Sequence, residues 1–217
     1  MISSILWVQT MMESDIEQYK RKDANSWLHL RFQTITNLDA NFLEAYLYGG
    51  QYLSIIKDDT IGAKEIYEKG LQKFPNNFDL NLNAGFNYFF ELGDCKNAYE
   101  KYKTILNNPI VKKKYPLLPS LIARIKGCSS GNIYSAKELL EIAYNQAPAN
   151  SNLKKTIANS LYSINAELDL RCLNSNATNC TTRDFGGNPY IKNMAGEYVA
   201  QKSWRPYKIN LGRKEID

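Results

Sequence analysis

Histidine is nearly missing: His29 is the only one in 217 residues. A single imidazole excludes an HExxH protease helix, a Cys2His2 finger and any metal triad built on two histidines. His29 stands beside Trp27 and Leu28 on the apolar side of a predicted helix. That place suits a structural histidine rather than a partner for a cysteine nucleophile. No GxxxxGK[ST] or GxGxxG occurs, so no phosphate cradle is written in the sequence. Asp184-Phe185-Gly186 spells a kinase metal-binding triplet, but the Gly-rich loop, the catalytic loop and the Lys-bearing strand are missing. Paired carboxylates such as Asp58 and Asp59 fall in a turn. No catalytic, metal or cofactor residue is therefore assigned, and no enzyme activity is expected.

Long apolar runs are also missing. Nothing approaches the roughly 18–20 residues of a membrane-spanning helix. Residues Met1–Val8 are apolar but lack a basic lead and a small-residue cleavage site. Two readings stand: the first half of an amphipathic helix, or the trimmed end of a longer, membrane-anchored parent. A strong charge of one sign is missing as well. Lys plus Arg number 27 and Asp plus Glu 22, a net +5. Nucleic-acid binding is not expected from so mild an excess. Lys112–Lys114 reads as a solvated turn before Pro116. Trp204 and Tyr207 among Lys202, Arg205 and Lys208 read better as an aromatic clasp than as a base-stacking platform.

Of four cysteines, Cys95 and Cys128 fall in or near helical patterns and read as small apolar residues. Cys172 and Cys180 bracket a short polar loop that a disulfide can close in an oxidising compartment; two free thiols fit the spacing equally well. This is the only clue to location. It leans toward a bacterial cell envelope, periplasmic or membrane-associated, with the cytoplasm as the alternative.

What is abundant is tyrosine, fifteen of them, many inside a repeat. Residues 45–68 align with 80–103 at an offset of 35, pairing Gly50 with Gly85, Asp59 with Asp94, Ala63 with Ala98, and Tyr67 with Tyr102. The second half recurs again at Ala136, Leu140, Ala143 and Pro148, and a fainter copy precedes at Leu28, Phe32, Ile35 and Ala40. This resembles the tetratricopeptide repeat, a helix–turn–helix unit of about 34 residues. The resemblance covers about residues 3–168 and implies a right-handed all-α solenoid. Small residues (Gly50, Gly85, Ala63, Ala98, Ala136) would let paired helices approach, with Tyr67 and Tyr102 filling the space between units. Asn81 departs from the pattern, standing where a large apolar residue is usual, and one residue is extra near Lys57–Asp59.

The periodicity predicts helices over 4–19, 25–38, 42–56, 61–73, 78–92, 95–107, 118–127, 133–146 and 150–170: four pairs and a cap. Leu6, Val8, Met11 and Ile16 would form the apolar face of the first, and Trp27, Leu30, Phe32 and Ile35 that of the second. Asp59 and Asp94 stand where N-caps belong. Residues 1–170 thus form the scaffold and 171–217 an appendage. Within it, Tyr190–Lys192 and Tyr198–Ala200 read as a hairpin that must pack on the helices, with Trp204, Tyr207 and Ile209 as anchors. The Gly-Gly-Asn-Pro-Tyr turn looks like the end of some pilin-like proteins, a likeness of turn chemistry rather than kinship.

The resemblance further implies a concave face lined by the first helix of each unit. Its positions are Glu44, Leu47, Gln51 and Ser54, then Asp79, Leu82, Phe86 and Phe89, with Ser120 and Arg124 in the third unit. Leu47 and Gln51 stand where chaperone-gripping repeats carry carboxylate-holding residues, so that ligand is not expected. Phe86 and Phe89 suit an apolar partner segment, or else lie under the chain's own tail. The chain also resembles uncharacterised bacterial envelope-associated proteins of this repeat class, in the Tyr46–Ser54 run and the Gly-Gly-Asn-Pro-Tyr turn. The expected function is a protein–protein adaptor without cofactor. The alternative is a structural subunit of an envelope machine (pilus, secretion system or motor), held by the convex face or the tail.

Overall fold

The structure, a computed structural model, describes residues 2–14, 26–175 and 177–207. Ten helices and one two-stranded sheet are found among them. The helices are α1 (Ile2–Glu13), α2 (Trp27–Leu38), α3 (Leu43–Gln51, continuing through Ile56), α4 (Thr60–Lys73), α5 (Phe78–Phe86, continuing through Glu91), α6 (Cys95–Ile105), α7 (Pro109–Lys114), α8 (Leu118–Ser130), α9 (Ile133–Gln146) and α10 (Asn152–Asn174). The fold is all-α, with β1 (Ile191–Lys192) and β2 (Tyr198–Val199) as its only strands among the described residues. No described helix is long and apolar enough to cross a membrane. The chain divides into two compact units, one up to Val111 and one from Lys112.

In the first unit α1 packs on α2, α3 on α4 and α5 on α6, while α3 lies beside α5. Leu28, Phe32 and Ile35 bury one stripe of α2 against Tyr46 and Leu53 of α3 and Ile66 and Tyr67 of α4. Trp7 joins from α1, its ring 5.7 Å from that of Phe32. Two expected core residues point the other way: Val8 and Leu30 are exposed, and Trp7 and Leu28 take their places. The other expected residues described, Leu6, Met11, Trp27, Phe32 and Ile35, do pack in the core, and so does Leu28 of the faint repeat copy. Ile16 lies outside the described residues.

The helix pairs α3/α4 and α5/α6 repeat each other at a spacing of 35, down to single hydrogen bonds. Asp59 N–H donates to Leu53 O at 2.8 Å, and Asp94 N–H to Tyr88 O at 2.7 Å. The residue before each has positive φ, Asp58 at 55° and Gly93 at 66°. This left-handed step closes the first helix. The same aspartates then open the second helix: Asp59 accepts from Gly62 N–H at 2.8 Å and Asp94 from Asn97 N–H at 3.0 Å. One residue thus ends one helix and caps the next, which makes the connection short. Asp59 is also buried and accepts from Ser26 Oγ at 3.2 Å. Asp59→Ala is therefore expected to cost about 2 kcal/mol in urea unfolding and Asp94→Ala about 1 kcal/mol; equal losses would deny Asp59 its extra contact.

Asn81, the departure from the pattern, also has its reason. Tyr46 Oη reaches Ala40 O at 3.3 Å, and Asn81 Nδ2, at the equivalent place, donates to Pro75 O at 2.8 Å. Both side chains tie the helix to the loop that enters it.

In the second unit α8 packs on α9 and α9 on α10. Three expectations change here. Lys113 and Lys114 lie in a helix, α7, not a turn. Pro109 suits its first turn, Asn108 accepts from Ile110 N–H at 3.0 Å, and Pro116 lies just beyond its end. Six residues are too few to show a period. Next, α8 runs to Ser130 rather than Gly127, because the left-handed cap falls at Gly131 (φ 62°). The presumed long connection is thus mostly helix, and Asn132 already caps α9 through Tyr134 N–H at 2.9 Å. Finally, α10 continues to Asn174, so Cys172 sits in its last turn.

The hairpin forms with Ile191 opposite Val199 and Lys192 opposite Tyr198. Asn174 holds it to α10, accepting from Tyr198 N–H at 2.7 Å and donating to Tyr198 O at 3.0 Å. Tyr207 is buried in a cluster with Ala123, Leu140 and Leu161. Trp204 is half-buried, and Ile209 lies outside the described residues. Tyr190, which the sequence did not single out, is a further anchor: its hydroxyl donates to Asp169 Oδ2 at 2.9 Å. Burial and this hydrogen bond push the Tyr190 hydroxyl pKa up.

Cys172 and Cys180 form a disulfide. Cys95 and Cys128 are disulfide-bonded too, not the small apolar thiols expected, and no cysteine is free. Two predictions follow from this bonding. A thiol reagent should titrate no cysteine in the unreduced, denatured chain. Replacing Cys172 and Cys180 by serine should cost about 2–3 kcal/mol, the loop-closure entropy of so short a ring.

Candidate functional site

An exposed face recurs on α3 and α5. On α3 it comprises Glu44, Leu47, Tyr48, Gln51 and Ile55; on α5, 35 residues on, Asp79, Leu82, Asn83, Phe86 and Phe90. The first four of each set are spaced i, i+3, i+4 and i+7, one side of an α-helix, and the fifth follows in the next turn. Glu44 and Asp79 are exposed, and Leu47, Gln51 and Leu82 are half-buried. Phe86 is 40% exposed. These six sequence-predicted positions therefore come together.

Ser54 and Phe89 do not join them. Phe89 is fully buried, and Ser54 is buried with its hydroxyl donating to Asn87 Oδ1 at 2.9 Å. The reason is local winding. Residues Tyr52–Ile56 and Asn87–Glu91 form π-helical turns. A π turn holds one residue more than an α turn, so the face moves on by one position. Ile55 and Phe90 stand where an unbroken α-helix would put Ser54 and Phe89. Ile55 is 65% exposed. Phe90 is half-buried, with its ring 4.7 Å from Phe86 and 4.8 Å from Phe89. Tyr48, 51% exposed, Ile55, Asn83 and Phe90 are the positions that sequence reasoning missed. The available signal was the residue that the sequence resemblance left extra near Lys57–Asp59, just after the first π turn.

Arg124 and Ser120 lie on α8 in the second unit, both half-buried. The Arg124 guanidinium sits over the Tyr207 ring at 5.0 Å, so it holds the C-terminal anchor. Burial raises the Tyr207 hydroxyl pKa, against the pull of Arg124. Tyr207 thus anchors the end of the described chain in the core of the second unit.

The remaining candidates have structural work. His29 is buried, its Nε2 3.2 Å from Glu65 Oε2. Asp184 closes its own turn, accepting from Asn188 N–H at 2.8 Å and Gly186 N–H at 2.9 Å. Burial alone would raise its carboxyl pKa, but hydrogen bonds from Asn188, Tyr162 and Gly186 outweigh it and hold it low. A cleft of about 580 Å³ in the second unit is lined by Asn132, Glu167, Arg171, Ser175 and Tyr207 among others. Glu167 pairs there with Arg171 at 3.2 Å, and the Cys172 sulfur beside them is tied in its disulfide.

The chain matches no family model, and no curated protein or solved structure was found to match it.

Proposed function

We propose that the chain is a tetratricopeptide-type solenoid acting as a protein–protein adaptor, with partner segments docking on the face shared by α3 and α5. The observation that carries this reading is the coincidence of exposed side chains at a 35-residue spacing. Two neighbouring helices present apolar groups at equivalent positions, Ile55 with Phe90 and Leu47 with Leu82. Apolar surface grouped in this way, rather than scattered, marks interaction sites. The helix pairs and their close glycine contacts support the repeat assignment. The direct test is affinity purification from native-host extract. Phe86→Ala with Phe90→Ala should lose partners that the unaltered chain retains; a partner set left intact would remove the face from the function.

Two observations favour a second reading, a structural subunit of an envelope machine. Every cysteine is in a disulfide, which suits an oxidising compartment. At the hairpin, Ile191 and Met194 are exposed. Size exclusion of the native complex with Ile191→Ser and Met194→Ser separates the readings, since only the second predicts its dissociation. Point substitutions serve better than removal of 171–217, because Tyr190 and Tyr207 are buried.

A further inference from the structure

The chain is basic overall, yet its presumed docking face is acidic. Residues 43–56 contain one charged side chain, Glu44, and residues 78–91 contain two, Asp79 and Glu91; neither segment has a Lys or Arg. On the two repeated helix pairs the bases lie instead on the second helices, as Lys64, Lys69 and Lys73 on α4 and Lys96, Lys101 and Lys103 on α6. Lys57, at the end of α3, is engaged, donating to Ser14 O at 2.7 Å.

The layout along the face is ordered. Glu44 and Asp79 occupy the first turns of α3 and α5, side by side in the repeat. Tyr48, Ile55, Phe86 and Phe90 extend from there toward the C-terminal ends. An occupant must place apolar side chains against the aromatics and positive charge at the acidic edge. Charge of the wrong sign is strongly disfavoured across an interface, and the right sign speeds encounter and fixes orientation. We infer that the partner segment is a cationic amphipathic helix or strand, its apolar residues on Tyr48, Phe86 and Phe90 and its Lys or Arg groups facing Glu44 and Asp79. This rests on the docking face proposed above and adds the class of partner.

The test uses the full chain and three labelled 18-residue peptides with one amphipathic Leu pattern, differing only in Lys, Gln or Glu at the polar positions. Binding is read by fluorescence anisotropy at low and physiological salt. The Lys peptide should bind at least about tenfold more tightly than the Gln peptide, and the preference should shrink as salt screens it. Glu44→Lys with Asp79→Lys should abolish or reverse the preference for the Lys over the Gln peptide, and a preference that survives it would overturn the inference. Acids in a first turn also favour their own helices, so Glu44→Gln with Asp79→Asn provides a milder pair that should lose most of the preference. Equal binding of the Lys and Gln peptides, sensitive to Phe86→Ala, would overturn the cationic class and leave the face. Binding of no peptide, or binding indifferent to Phe86→Ala, would overturn the face itself. Tighter association with phosphatidylserine vesicles than with the Lys peptide would also overturn the inference, in favour of a membrane surface.

Discussion

Phe89→Ala is expected to lower unfolding stability by about 3–5 kcal/mol, the cost of emptying a buried aromatic site. Phe86→Ala, three residues earlier, is expected to cost less than about 1 kcal/mol and to act on binding instead. The two residues share a type and a helix and differ in placement: Phe89 is 0% exposed and Phe86 40%. Urea unfolding of both variants, with binding measured in the same samples, checks the contrast. The π turn is what makes it. Were Asn87–Glu91 wound as α-helix, Phe89 would come round to the side of Phe86, and its loss would be read in binding rather than in stability. Similar stabilities for the two variants would contradict the winding described for α5.

Gly50→Ala is expected to cost about 3 kcal/mol, the upper end of overpacking. On an exposed helix the same change would stabilise by about 1 kcal/mol, since alanine is the better helix former. Here a Cβ would collide with the Tyr67 ring, and at Gly85 it would lie 2.7 Å from Tyr102 Cε2. Both rings are fixed: Tyr67 is 2% and Tyr102 1% exposed. Burial also raises both hydroxyl pKa values. The collision should be specific to the ring. In a double-mutant cycle, Gly50→Ala should cost much less on a Tyr67→Ala background than alone. Additive losses would place the strain elsewhere.

The small glycines were legible in the sequence, but Tyr67 and Tyr102, expected between neighbouring units, lie on the glycine of their own helix pair. A small residue recurring at 35 with an aromatic 17 positions later admits few geometries, and the structure seats each ring on its glycine. The second-helix caps at Asp59 and Asp94 were equally clear, because a capping aspartate acts through local hydrogen bonds. The exposed face was legible only in part. Glu44, Leu47, Gln51, Asp79, Leu82 and Phe86 precede the π turns and followed the α-helical period. Ser54 and Phe89 fall within the turns and did not. A single extra backbone residue per unit leaves the side-chain pattern ambiguous, since Phe89 and Phe90 offer an aromatic in either register and the small Ser54 fits a buried or an exposed place. Short α7 and the cysteine bonds were hidden for other reasons. Six residues do not establish a period, and the helical patterns around Cys95 and Cys128 carry no mark of a bonded thiol.

Site-specific photo-cross-linking in native-host extract tests the central claim most directly. A photoreactive phenylalanine placed at Tyr48 or Phe86 samples the α3–α5 face, and one at Lys73 or Lys103 samples exposed positions on α4 and α6. A partner adduct should form from Tyr48 and Phe86, weaken with Glu44→Lys and Asp79→Lys, and be missing from Lys73 and Lys103. Adducts that form from Lys73 or Lys103 and not from Tyr48 or Phe86 would contradict the account and move the interface to the second helices.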